Sequence, residues 1–141
     1  MLLGAMFAGQ AFANSPVAAV HALAYPIGGI FHVAHGLSNA LVLPHVMKFN
    51  APAASKLYAE LADVILPGTT GSCETKTAAL IAHIEGLVLA TGIPRTLREV
   101  GVKENDLGRL ASDAMLQTRL LVNNPREVTE ADAFAIYSAA F

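Results

Sequence analysis

A chain of 141 residues supports one domain with a core of its own. Just over half of its residues are hydrophobic and its formal net charge is −2, a balance that gives no electrostatic basis for binding nucleic acid or an anionic membrane. A single cysteine, Cys73, excludes an internal disulfide and fits a reducing, cytoplasmic setting.

Residues 1 to 14 are apolar and small. Ala11-Phe12-Ala13 has the form of a signal-peptidase site, but no positive residue precedes it. The stretch is also too short, and too broken by Gly and Gln, for a membrane span. The expectation is a buried helix. Ser15-Pro16 offers a capping hydroxyl followed by proline at a first helical position, so the next helix is expected from there to about Tyr25.

That helix opens the most informative stretch, His21 to His35. It holds three imidazoles, one proline, two adjacent glycines and no charged side chain; the first charged residue of the chain is Lys48. A lone imidazole on an apolar face is more often a satisfied core residue than a ligand. Three of them around Pro26 and Gly28-Gly29 point instead to a site. Pro26 disfavours helical geometry at Tyr25, and the glycines permit a reversal, so an irregular loop is expected over residues 26 to 35. His21 would then end one helix and His35 begin the next, with both rings brought to one point. Neutral imidazole nitrogen is a good ligand for iron or zinc.

Gly36 to about Lys48 reads as a central helix, apolar almost all round, with a kink at Pro44. Ala51 to about Leu66 keeps a helical period through Ala54, Leu57, Tyr58, Leu61 and Ile65, and Pro67-Gly68 ends it. Ser72 can cap a helix from Cys73 to Ala90 that turns Leu80, Ile84, Leu87 and Val88 to one side, and Gly92 can close it. A helix from about Asn105 to Leu121 has Leu107, Leu110, Ala111, Ala114, Met115 and Thr118 on its inner face. Asn123-Asn124-Pro125 breaks it. Thr129 and Asp132 form a capping-box pattern before a last helix that buries Phe134, Ile136, Tyr137 and Phe141. No alternating strand, Gly-x-Gly-x-x-Gly turn, Walker loop or Ser-His-Asp order stands out. Cys73, beside Glu74, reads as an incidental thiol, and Arg126 as a donor to loop carbonyls. The fold expected is all-α, about seven helices in one domain over residues 1–141.

Val20 to Asn50, VHALAYPIGGIFHVAHGLSNALVLPHVMKFN, resembles the signature of the iron-containing (group III) alcohol dehydrogenases. Later stretches extend the likeness: Ile93-Pro94-x-x-Leu97, Gly101-Val102, Asn123-Asn124-Pro125-Arg126 and Val128-Thr129-x-x-Asp132. The resemblance implies that His21 and His35 are metal ligands, for Fe(2+) or Zn(2+), and that Tyr25, Pro26 and Phe31 line the substrate side. Tyr25 stands where the family often has a further His. His32 and His45 are not family ligands. The likeness also implies a small alcohol or aldehyde substrate and NAD or NADP as cofactor. It further implies that the chain corresponds to the C-terminal domain, the nucleotide-binding domain and the other two metal ligands belonging to a preceding part. In that frame the 141 residues alone are expected to be inactive, and their uncharged surface to be covered by that missing N-terminal segment or in a homo-oligomer. The alternative is a non-catalytic helical fragment or oligomerising module of the same fold.

Overall fold

The computed structural model describes residues 2–141. Among these the fold is all-helical, with seven α-helices and no strand. They are α1 (Leu2–Asn14), α2 (Ala19–Phe31), α3 (His35–Ile65), α4 (Cys73–Thr91), α5 (Leu107–Met115), α6 (Thr118–Leu121) and α7 (Glu130–Ala140), with two 3₁₀ turns at Arg98–Val100 and Glu104–Asp106. No described helix is long and apolar enough to cross a membrane.

The main core joins α2, the first half of α3, α5 and α7. Ala22, Leu23 and Ile27 from α2 meet Leu41, Val42 and Val46 from α3, Leu110 and Ala114 from α5, and Ala133 and Tyr137 from α7. Tyr137 is fully buried and its hydroxyl donates to the Leu23 carbonyl at 2.6 Å. Burial also pushes that phenol well above its ordinary pKa, so it remains a donor. A second cluster joins Met47 and Ala62 of α3 to Leu80 and Ile81 of α4. Two of the starts predicted from capping chemistry hold: the Ser72 hydroxyl accepts from Thr75 N–H, and Thr129 with Asp132 makes the capping box of α7. Gly92 closes α4 in left-handed geometry, as its position predicts.

Several expectations need correction. The helix expected from Ser15 starts at Ala19; the Ser15 N–H instead bonds to Ala11 O and ends α1. The loop expected over 26 to 35 is only residues 32–34, because α2 continues through Pro26, Gly28 and Gly29. Burial of Leu23, Ala24, Pro26 and Ile27 outweighs the lost proline donor there. His21 therefore lies in the first turn of α2, not at its end. The two helices expected around Asn50 are one 31-residue helix that runs through Pro44 and Pro52. The helix expected over 105–121 stops at Met115 and resumes at Thr118, which is exposed. Phe134 and Leu87 are also largely exposed rather than core residues. Last, α1 has no buried residue. Leu2, Leu3, Met6, Phe7 and Phe12 are all at least half exposed.

Candidate metal centre

The site grows from one face of α2. His21, Tyr25 and Gly28 follow one another at helical spacing on that face. α2 ends at His32, which adopts the left-handed conformation (φ 56°, ψ 28°), a position more often given to glycine. Residues 33 and 34 then run back along α2. Gly28 matters at that close approach: a Cβ there would lie 3.3 Å from the Val33 carbonyl. The Ser38 hydroxyl bonds to the Val33 and Ala34 carbonyls and ties the returning segment to the first turn of α3.

The result sets His35, the first residue of α3, against the α2 face. The His21 and His35 rings stand 5.1 Å apart between centroids, inclined at 55°. The Tyr25 ring is 5.8 Å from His35. His35 is exposed and His21 half-buried. Burial lowers the His21 pKa, and the neighbouring His35 lowers it further, so the His21 ring favours its neutral form. The fold thus brings together His21 and His35, the two rings expected to converge, and sets Tyr25 beside them. Pro26 is buried within α2, and Phe31 is half-buried at its last turn, packed on the main core. His32 is exposed in the turn; His45 is half-buried on α3 near Lys48 and Glu85. Arg126 donates to the Phe49 carbonyl at 3.0 Å and covers the Phe49 ring, so it serves a carbonyl of α3 and not the loop carbonyls expected. Cys73 is free and exposed.

Two contributors escape sequence reading. The Asn39 side-chain amide lies 3.1 Å from His35 Nε2, one turn along α3, and the His35 tautomer sets which of the two donates. Its Oδ1 is buried without a hydrogen-bond partner. The i, i+4 spacing from His35 was the available signal. The other is the break between α5 and α6: Leu116 to Leu120 form, with Tyr25, a hollow of about 160 Å³. Nothing local marks that break. A larger apolar hollow of about 540 Å³ lies between α2 and α3, with His21 and Asn39 in its lining.

Two borderline nitrogen donors on facing helices suit Fe(2+) or Zn(2+) as part of a shell. Among the described residues no group of three or more His, Cys, Asp or Glu is placed to hold a metal ion.

The profile of the Fe-containing alcohol dehydrogenase family, C-terminal, matches residues 1–141, and the chain belongs to that family. It is 42% identical to long-chain-alcohol dehydrogenase 1 of Geobacillus thermodenitrificans, over 100% of this chain and 36% of that protein. It is 37% identical to lactaldehyde reductase of Escherichia coli, over 100% of this chain and 37% of that one. Among solved structures, a 1,3-propanediol oxidoreductase superposes with a TM-score of 0.89 at 38% identity, over 95% of this chain and 35% of the other. The chain therefore spans little more than a third of the length of these relatives.

Proposed function

We propose that these residues form the helical part of a metal-dependent, NAD- or NADP-linked oxidoreductase that interconverts small alcohols and aldehydes. The observation that carries this reading is the approach of His21 and His35 to 5.1 Å from two different helices. His21 and His35 would hold Fe(2+) or Zn(2+). Such an ion supplies Lewis acidity at an alcohol or carbonyl oxygen, and the nicotinamide accepts or gives the hydride. The chain's own residues do the positioning. Asn39 meets the His35 ring at 3.1 Å; with its amide oxygen accepting from Nε2–H it would orient the ring and leave Nδ1 free for the ion. Tyr25 presents its ring beside His35 and lines the hollow at Leu116–Leu120, which supports reading it as a substrate-side residue. Pro26 and Phe31 back that face from within α2. The lone Cys73 suits the reducing cytoplasm.

Two ligands make a weak site, and hydride transfer needs oxygen, carbon and nicotinamide held together. The 141 residues by themselves should therefore hold metal weakly and not turn over an alcohol. Calorimetric titration with Zn(2+) tests the ligands: the expected weak binding disappears in His21→Ala and in His35→Ala, and tight binding that survives both substitutions places the ligands elsewhere. Metal-dependent reduction of NAD or NADP by the chain with short alcohols, lost in His35→Ala, would refute the inactivity of the isolated chain.

One observation favours a second reading, an associating helical module. The uncharged α1 exposes its large apolar side chains. Sedimentation should then show a dimer or larger species, and a clean monomer at micromolar concentration counts against it.

A further inference from the structure

His21 stands where a helix is weakest. It is the third residue of α2, and the N-cap Ala18 offers no side chain to the free N–H groups of that turn. The turn is closed by His21 N–H and Ala22 N–H, both to Ala18 O, at 3.1 and 3.2 Å. Uncapped first turns fray, and His35 sits on a different helix, so fraying would carry the two rings apart.

A distant segment meets this turn. Asn123 Nδ2 donates to Val17 O at 3.1 Å, from 106 positions away in sequence, and also to Arg119 O at 3.0 Å. The loop that carries Asn123 is itself fixed to α3. Asn124 and Asn50 exchange two amide hydrogen bonds, at 2.9 and 2.8 Å, and Asn124 also donates to Arg126 O at 2.6 Å. Arg126 reaches the Phe49 carbonyl. The backbone just before α2 is thus pinned, through Asn123 and Asn124, to the same helix that begins with His35.

We infer that Asn123 is a positioning residue for His21: its amide holds the Val17 carbonyl just ahead of the uncapped first turn of α2 and keeps that turn, with its imidazole, in register with His35. The consequence for metal binding rests on the ligand role proposed for the pair. The pinning itself does not.

The test compares the full chain with Asn123→Leu, which keeps the shape and loses the donor, and Asn123→Gln, which keeps an amide donor. Two readouts are taken. The first is amide hydrogen exchange at His21 to Leu23; the second is the affinity for Co(2+) alone, in the parent and in a His21→Ala background. Asn123→Leu should speed exchange at those amides about tenfold relative to α7, and Asn123→Gln should restore at least part of the protection. Co(2+) affinity should fall about tenfold in Asn123→Leu, in the range typical for groups that orient a ligand, and should be unchanged by the same substitution once His21 is Ala. Unaltered exchange at His21 to Leu23 overturns the inference. So does an equal affinity loss in the His21→Ala background, since the effect would not then pass through His21. If exchange speeds up but neither His21→Ala nor His35→Ala alters Co(2+) binding, the pinning stands and the metal reading fails.

Discussion

α1 and α2 are built from the same kinds of residue and have opposite fates. Each is 13 residues long and free of charge, and each contains glycine. Yet Leu23 in α2 is 0% exposed, whereas Leu2 in α1 is 90% exposed. The difference is not local. α2 lies against α3, α5 and α7, and its apolar side chains interdigitate with theirs; α1 has no such neighbour among the described residues. Hydrophobicity states a demand for burial, and only tertiary partners meet it.

That contrast can be broken by mutation. The largest effect is expected at Leu23→Ala, which opens a cavity in the main core and should cost about 2–5 kcal/mol in urea unfolding. Leu3→Ala in α1 should stay within about 0.5 kcal/mol of the parent; comparable losses at both sites would show α1 to be packed after all. Next, Tyr137→Phe removes the hydroxyl that reaches the Leu23 carbonyl and should cost about 1–2 kcal/mol by the same measurement. His32→Gly works in the other direction. It relieves a non-glycine residue from left-handed geometry at the end of α2, at some entropic cost, and should raise stability by about 0.5 kcal/mol. A loss instead would mean that the His32 side chain makes a contact of its own.

The smallest effect is a pH dependence within the packed body. His45 has its pKa lowered, first by burial and then by Lys48, with Glu85 opposing. A group with a folded pKa below its unfolded value leaves the unfolded state holding more protons as the medium acidifies. The stability from neutral His45 is therefore present above about pH 6.5 and lost as pH falls from there toward the folded pKa. His45→Gln should flatten that part of the urea-midpoint profile between pH 7 and pH 5, and an unchanged profile would assign the slope to other groups.

Much of this arrangement was legible. Capping chemistry named the starts of α4 and α7, and Gly92 named the end of α4. The meeting of the His21 and His35 rings was also expected, although the reversal that brings it about lies at residues 32–34 and not at Pro26 to Gly29. What misled was punctuation. Pro26, Gly28 and Gly29 are strong breakers taken alone, but α2 is buried along that length and packing overrides them. The actual break falls on His32, a residue with little local claim to a left-handed turn. Gly28 serves a different purpose, leaving room for the Val33 carbonyl. The same override fused two expected helices across Asn50, which is buried and paired with Asn124. Asn39 and Asn123 could not be found by composition, since their roles depend on which backbone or ring happens to arrive beside them.

α3 has a mechanical consequence. At 31 residues it is a beam roughly 46 Å long. Pro44 and Pro52 each lack the N–H that would tie them to the carbonyl four residues earlier, so the beam has two notches roughly 12 Å apart. Bending stiffness is lowest at those notches. α4 braces the Pro52 notch from outside, since Met47 before it and Ala62 beyond it share one cluster with Leu80 and Ile81. The nine-residue segment from His35 to Leu43 lies beyond both notches, where Leu41 and Val42 seat it in the main core.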